Sequence, residues 1–128
     1  MSQELNSKKE FSIIKRARSF VHAGRGIMLF LKTTHNAWIH IIVACLAIVL
    51  GIYFSITSVE WIALIFAVGF VLVAEAFNTA IEIDIDLTSP DYHPYARDTK
   101  DVAAGAVLLA SITALAVGCI VFIPYISI

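Results

Sequence analysis

The fold of this chain is constrained most by three long apolar segments, residues 37–57, 61–83 and 102–126. The first and third contain no Asp, Glu, Lys or Arg, and the second contains none over its first 14 positions. Because about 20 apolar helical residues cross the hydrocarbon core of a bilayer, each segment is long enough to span a membrane. The chain is 59% hydrophobic and only 15% charged, which excludes an ordinary water-soluble domain and a disordered chain. We therefore predict an all-α membrane protein with three transmembrane helices.

The basic residues indicate how the three predicted helices are oriented. Seven of the nine Lys and Arg residues lie between positions 8 and 32, and the other two are Arg97 and Lys100. Loops rich in Lys and Arg stay on the cytoplasmic side of a membrane. The N-terminus and the segment 84–101 are therefore predicted to be cytoplasmic, and the C-terminus is predicted to lie outside.

The segment before the first span, residues 8–33, has the pattern of an amphipathic helix. Its apolar side chains fall within one arc when successive residues are rotated by about 100°. Basic residues such as Arg18 and Arg25 gather in the adjacent arc. Such a helix lies in the headgroup layer, where it serves either as an electrostatic anchor alone or as part of a catalytic site. Together with the three spans it completes the single domain predicted for residues 1–128.

A polar stripe in the second span carries the strongest functional signal. Glu75 follows 14 uncharged residues, and Asn78 and Glu82 follow it at helical spacings of three and seven positions. An ionisable residue inside a membrane is costly unless it is paired or neutral, and it is a functional candidate by default. The alternative is a structural role, in which Glu75 and Asn78 hydrogen-bond to a neighbouring helix.

Two carboxylates separated by two helical turns suit two different tasks. The deeper one, Glu75, is suited to take a proton from a substrate hydroxyl. Glu82 lies nearer the predicted cytoplasmic surface and is suited to hold Mg²⁺ together with phosphate oxygens. Lys100, at the start of the third span, is suited to neutralise phosphate charge, although it also fits a simple positive-inside anchor.

These residues belong to a longer pattern that resembles a known family. The pattern comprises Glu75-Ala-Phe-Asn78-Thr-Ala-Ile-Glu82, Asp86-Leu, Tyr92-His-Pro and Lys100-Asp101, followed by a run of small residues. It closely resembles the prokaryotic diacylglycerol kinase and undecaprenol kinase family. The similarity extends from about residue 18 to residue 124, so it covers nearly the whole chain.

The resemblance implies a homotrimer of three-span subunits in the bacterial cytoplasmic membrane. Such an enzyme transfers the γ-phosphate of ATP, with Mg²⁺ as cofactor, to the hydroxyl of a membrane lipid, and its partners include no nucleic acid. Its active sites lie at the cytoplasmic face between subunits. On the matching positions, Glu75 becomes the general base, Glu82 a metal ligand and Asn78 a hydrogen-bonding residue that organises the site.

The same resemblance assigns a second group of residues to the nucleotide. Lys100 and Asp101 are expected to contact the phosphates or to support the site. Arg18 and Arg25 fall where the surface helix of such enzymes approaches the nucleotide. ATP is therefore expected to be bound at the predicted cytoplasmic ends of the helices.

One position departs from the family pattern. The family usually carries a second metal-binding Glu just before the first span, whereas this chain has Thr34 at that place. A hydroxyl can coordinate Mg²⁺ but brings no negative charge. The sequence therefore leaves two outcomes open: either a neighbouring carboxylate such as Asp84 or Asp86 compensates, or metal binding by this chain is impaired.

The motif also bears on the lipid acceptor. The Tyr92-His-Pro turn and the small residues after Asp101 are more similar to the undecaprenol kinase branch, so undecaprenol is the predicted acceptor and diacylglycerol the alternative.

Two other classes of protein could also contain a carboxylate inside the membrane. A small oligomeric proton or cation pathway would explain Glu75, but it does not explain why the acidic stripe continues to Glu82 and meets Lys100. A third class is a structural membrane subunit with a polar contact between helices.

Overall fold

The structure is a computed structural model that describes residues 13–127, and within this range it contains helices and no strand. The helices are α1 (Ile13–Thr33), α2 (His35–Tyr53), α3 (Ser58–Thr88) and α4 (Pro94–Ile126). α2, α3 and α4 are each long and apolar enough to cross a membrane. The prediction of an all-α protein with three membrane-crossing helices is therefore confirmed. Residues 8–12 of the predicted surface helix lie outside the described range.

A break of one residue separates α1 from α2. The backbone of Thr34 is extended there (φ −100°, ψ 103°), which interrupts the helical hydrogen bonding. The Trp38 indole donates a hydrogen bond of 3.0 Å to the carbonyl of Leu31 across the break. This bond restrains the angle between the two helices, so that the residues around Thr34 are held at one end of α2.

The turn between α2 and α3 lies at the best-packed end of the chain. Ile56 in this turn is buried together with Leu64 of α3 and with Val121 and Phe122 of α4. The turn passes through Ser55, whose φ of 52° is in the left-handed region that non-glycine residues seldom adopt. The next residue, Ile56, is buried, and its packing holds the backbone in this conformation.

Thr57 and Glu60 cap the N-terminus of α3 reciprocally. The Thr57 hydroxyl accepts a hydrogen bond from the N–H of Glu60 at 3.4 Å, and Glu60 Oε2 accepts one from the N–H of Thr57 at 2.7 Å. This arrangement satisfies two backbone donors that a helix start leaves without an intrahelical partner. The Tyr125 hydroxyl donates to the same carboxylate oxygen at 2.9 Å. The end of α4 is thereby tied to the start of α3.

The connection between α3 and α4 is shorter than the predicted loop of residues 84–101. α3 continues to Thr88 and α4 already begins at Pro94. No helix-breaking residue occurs before Ser89 and Pro90, whereas a proline in the first helical turn, as at Pro94, favours a helix start. His93 Nδ1 accepts a hydrogen bond of 3.3 Å from the N–H of Tyr95 and caps the new helix. Most of the predicted loop therefore consists of helix, and Lys100 lies in the second turn of α4.

Candidate active site

A polar cavity of about 240 Å³ lies where the α1–α2 junction meets α3. The junction contributes residues 33–36 to its wall, and α3 contributes Glu75, Asn78, Thr79, Glu82, Ile83 and Asp86. The α3 residues lie on one face because steps of three and four positions bring side chains together on an α-helix. Three residues predicted from the sequence to form the site, Glu75, Asn78 and Glu82, thus line one cavity together with Thr34. We call it the site cavity.

Glu75 is the most deeply placed acidic group of the cavity. Its side chain is only 1% exposed, and its Oε1 atom has no hydrogen-bond partner in the described part of the chain. Asn36 of α2 lines the opposite wall of the cavity. Burying a polar oxygen without a hydrogen-bond partner costs about 1–3 kcal/mol of folding free energy, as judged from mutational data. An unpartnered carboxylate oxygen on a residue that lines a polar cavity is therefore a candidate acceptor for the hydroxyl group of a ligand.

Asn78 and Glu82 form a pair one turn further along α3. Asn78 Nδ2 donates a hydrogen bond of 3.2 Å to Glu82 Oε1, which orients both side chains. Asn78 is itself buried, and its Oδ1 atom has no partner among the described residues. With the amide nitrogen facing Glu82, the free oxygen of Asn78 is left to accept a donor or to coordinate a cation.

Thr34 and Thr79 join the α1–α2 junction to α3. Their hydroxyl oxygens are 2.7 Å apart, and Thr79 Oγ1 also bonds to the carbonyl of Glu75 at 3.0 Å. A carbonyl can only accept, so the single hydroxyl proton of Thr79 is used on Glu75, and Thr34 must donate to Thr79. Thr34, at the position where the resemblance places a second metal ligand, therefore serves in this structure as a donor that fixes the junction to the helix of Glu75.

Lys100 approaches the site cavity through Asp86. Its Nζ donates a hydrogen bond of 2.9 Å to Asp86 Oδ1, and Asp86 lines the cavity. Lys100 itself is absent from the cavity wall. The ion pair holds the ammonium group at the edge of the site, where a ligand with a higher negative charge than one carboxylate can compete for it.

The other residues predicted to contact the nucleotide lie apart from this cavity. Asp101 is exposed and forms an ion pair with Arg97 at 4.0 Å. Arg18 and Arg25 are exposed on α1 and do not line the cavity. The described residues of one chain therefore bring together Glu75, the Asn78–Glu82 pair and Lys100, but not Asp101, Arg18 or Arg25.

The oxygen-bearing side chains of the site cavity fit a Mg²⁺ ion that is bound together with a phosphate group. The described residues contain no group of three or more His, Cys, Asp and Glu side chains placed to hold a metal. The site cavity instead offers the carboxylates of Glu82 and Asp86 and the unpartnered Oδ1 of Asn78. Mg²⁺ is usually held by one or two carboxylates together with substrate phosphates and water, and seldom by a complete protein cage. The cavity matches that arrangement.

The sequence did not assign two side chains to the site that the structure places there. Thr79 follows Glu75 by four positions, and helical spacing predicts that it lies beside the polar stripe, but the sequence assigned it no role. Asn36 lies on a different helix, and no pattern along the chain places it opposite Glu75. Asp86 was considered only as one of two carboxylates that could compensate for Thr34, and the structure places Asp86 in the cavity wall while Asp84 is not part of it.

Comparisons with known proteins cover most of the chain. A sequence profile described as prokaryotic diacylglycerol kinase matches residues 21–122. The undecaprenol kinase of Bacillus subtilis is 36% identical over 107 residues, which make up 84% of this chain and 87% of that protein. A diacylglycerol kinase of Synechocystis sp. is 35% identical over 111 residues (85% and 63%). A diacylglycerol kinase of Helicobacter pylori is 29% identical over 110 residues (80% and 86%).

These matches confirm the resemblance drawn from the motif around Glu75. They also favour an enzyme over a proton or cation pathway and over a purely structural subunit. The three helices that can cross a membrane agree with an enzyme that acts on lipids. The chain therefore belongs to the prokaryotic diacylglycerol kinase family of membrane lipid kinases.

Proposed function

We propose that this protein transfers the γ-phosphate of ATP to the hydroxyl of undecaprenol, with Glu75 as the general base. The observation that carries the proposal is the buried carboxylate of Glu75, a residue of the cavity wall whose Oε1 has no hydrogen-bond partner among the residues that the structure describes. The 36% identity to an undecaprenol kinase supports the choice of acceptor. Diacylglycerol remains the alternative acceptor, because the two other relatives described above are diacylglycerol kinases.

The proposed reaction needs one proton transfer and one phosphoryl transfer. The lipid hydroxyl donates a hydrogen bond to Glu75 Oε1 and loses its proton to that oxygen. The alcohol oxygen forms a bond to the γ-phosphorus, and the bond between this phosphorus and the bridging oxygen of ADP breaks. The products are a lipid phosphate, ADP and a protonated Glu75, which returns its proton to solvent. Thr79 bonds both to the backbone carbonyl of Glu75 and to Thr34, which fixes the α1–α2 junction beside this turn of α3 and places Asn36 across the cavity from the carboxylate.

The residues one turn away are proposed to bind the nucleotide and its metal. Glu82 and Asp86 would hold Mg²⁺, and Asn78 orients Glu82 through the 3.2 Å hydrogen bond. When bound, Mg²⁺ supplies charge neutralisation at the phosphate oxygens. Lys100 exchanges Asp86 for a phosphate oxygen when ATP arrives, since a triphosphate carries more negative charge than one carboxylate.

The nucleotide site is proposed to be completed by a neighbouring subunit of a homotrimer on the cytoplasmic face. Arg18, Arg25 and Asp101 are exposed and lie outside the site cavity of a single chain, so they remain available to a nucleotide held between subunits. Apolar side chains of the spans are also widely exposed: Phe66 is 75% and Leu115 is 68% exposed. Such surfaces have to be covered by lipid or by another subunit.

The experiment is transfer of radiolabelled γ-phosphate from ATP by the purified protein in mixed micelles, with undecaprenol and diacylglycerol offered separately. Labelling of undecaprenol in preference to diacylglycerol is expected. Glu75→Gln should lower kcat by about 10²–10⁴-fold, the range typical of a lost general base, while the oligomer and its Tm stay unchanged. A preference for diacylglycerol would overturn the acceptor, and retained turnover in Glu75→Gln would overturn the role of Glu75.

A further inference from the structure

A second cavity of about 200 Å³ lies between α2 and α3 and is lined almost entirely by apolar atoms. Its α2 wall is formed by Ala47 and Ile48, and its α3 wall runs from Trp61 to Gly69. We call it the apolar cavity. No part of the proposed phosphoryl transfer uses it, and its wall contains no ionisable side chain.

The apolar cavity and the site cavity lie along one stripe of α3. Starting at Trp61, steps of four and three positions lead through Ile65 and Val68 to Leu72, and then to Glu75 and Thr79. Residues at these spacings share one face of an α-helix. Trp61, Ile65 and Val68 line the apolar cavity, Glu75 and Thr79 line the site cavity, and half-buried Leu72 lies between the two.

The length of this stripe suits a hydrocarbon chain whose polar end lies at Glu75. At 1.5 Å per residue, Gly69 is about 9 Å and Trp61 about 21 Å from Glu75 along the helix axis. Trp61 closes the far end, because its ring packs so tightly on α2 that a Cβ atom added to Gly51 would lie 2.8 Å from Trp61 Cη2. A tail whose polar end lies at Glu75 would therefore run along this face of α3, past Leu72, as far as Trp61.

Gly69 is the residue of the apolar cavity's α3 wall that lies nearest to Glu75 along the helix. A Cβ atom added at Gly69 would meet no atom within 4 Å, so this position is not part of a packed contact. A larger side chain at this position would fill the cavity without displacing a neighbour. Gly69 is therefore placed to decide how far a lipid tail can extend along α3.

We propose that the apolar cavity binds the first isoprene units of the acceptor's tail, with the lipid hydroxyl at Glu75 and Gly69 as the residue that admits the chain. The inference rests on the proposed function, since it concerns the acceptor of that reaction. It adds a tail-binding subsite to the hydroxyl-binding residues. The acceptor then gains binding energy with each apolar unit that reaches the cavity, up to the barrier formed by Trp61.

The experiment compares Gly69→Leu with the matched control Gly118→Leu. Gly118 lies in α4, also has open space around it and lines neither cavity. Phosphorylation is measured with dimethylallyl alcohol, farnesol and undecaprenol, which contain one, three and eleven isoprene units. For Gly69→Leu, kcat/KM for undecaprenol and farnesol is expected to fall by about tenfold or more, the scale of losing a methylene-sized contact in an apolar pocket. The value for dimethylallyl alcohol, too short to reach Gly69, should stay unchanged, as should all three values in Gly118→Leu.

Two results would overturn the tail-binding subsite. One is the same dependence on chain length in Gly69→Leu and in the unaltered protein. The other is a changed oligomeric state of Gly69→Leu in detergent by light scattering, which would assign the cavity to a second copy of the chain.

A binding measurement separates this inference from the proposed function. In the Glu75→Gln background, where no turnover is needed, undecaprenol should raise Tm, and adding Gly69→Leu should remove the shift while adding Gly118→Leu should not. An unaltered protein that phosphorylates none of the alcohols would refute the proposed function, whereas the Tm shift and its loss would still support the subsite. A shift that survives Gly69→Leu would refute the subsite alone.

Discussion

The hydroxyl of Thr34 donates a hydrogen bond to the hydroxyl of Thr79, and the two oxygens are 2.7 Å apart. The bond joins the α1–α2 junction to α3 one turn from Glu75, because Thr79 in turn bonds to the Glu75 carbonyl at 3.0 Å. The position at which the resemblance implies a metal-binding carboxylate thus holds two structural elements together. The consequence is that the geometry around Glu75 depends on a residue 41 positions earlier in the chain.

Thr34→Val should loosen the α1–α2 junction, although the Val side chain is about the same size as that of Thr. The change removes the donor to Thr79 and is expected to lower the free energy of unfolding by about 1 kcal/mol, the usual value for one hydrogen bond. It should also lower kcat, because the wall opposite Glu75 is no longer held. Tm and single-turnover phosphoryl transfer measure the two effects. Thr34→Ser keeps the hydroxyl and should retain both properties; equal losses in the Ser and Val variants would contradict the assigned bond.

Asp86→Asn should weaken the binding of Mg²⁺ to the site cavity. Since Thr34 supplies no negative charge, Glu82 and Asp86 are the carboxylates near the expected metal position in the site cavity. The Mg²⁺ concentration for half-maximal activity is expected to rise by about tenfold or more, as for the loss of a group that supports a metal. Titration of Mg²⁺ at saturating ATP measures it. Asp84 lies on the same helix but outside the cavity wall. An equal rise of the half-maximal Mg²⁺ concentration in Asp84→Asn would refute the role of Asp86 in metal binding.

Lys100→Gln should raise the KM for ATP more than it changes the KM for the lipid. The variant loses the ammonium group that pairs with Asp86 at 2.9 Å and is proposed to move to a phosphate. Hydrogen bonds to charged groups are stronger than neutral ones, so the expected rise is about tenfold. Initial rates at varied ATP and fixed undecaprenol test this. Arg97→Gln removes a cation that pairs with exposed Asp98 at 3.1 Å, and it should leave the KM for ATP unchanged.

Gly51→Ala should destabilise the end of the molecule where α2 meets α3. A Cβ atom at this position would lie 2.8 Å from Trp61 Cη2, and a large, rigid ring cannot move away cheaply. Overpacking of this kind costs about 1–3 kcal/mol. Thermal unfolding in detergent measures the loss, and Trp61→Leu in the same chain should recover most of it. Gly118→Ala, with no neighbour within 4 Å of the added atom, should not lower Tm; absence of rescue by Trp61→Leu would show that the strain lies elsewhere.

The sequence by itself determined the helices and the central residue of the site. Long segments without charge are sufficient to define membrane-crossing helices, because in a bilayer each backbone polar group must be satisfied within its own helix. The cost of a carboxylate in such a segment singled out Glu75, and helical spacing placed Asn78 and Glu82 beside it. All of these inferences depend on local properties of the chain.

The tertiary structure decided what faces Glu75. Helices that are apolar on nearly every side do not specify how they are rotated or which helices meet, since lipid and protein offer similar apolar surroundings. Only the packed arrangement therefore placed Asn36 and the Thr34–Thr79 bond at this carboxylate, chose Asp86 over Asp84, and left Asp101 outside the cavity. The same packing decides that one stripe of α3 lines two cavities, because a cavity is formed by two helices in contact and not by either sequence alone.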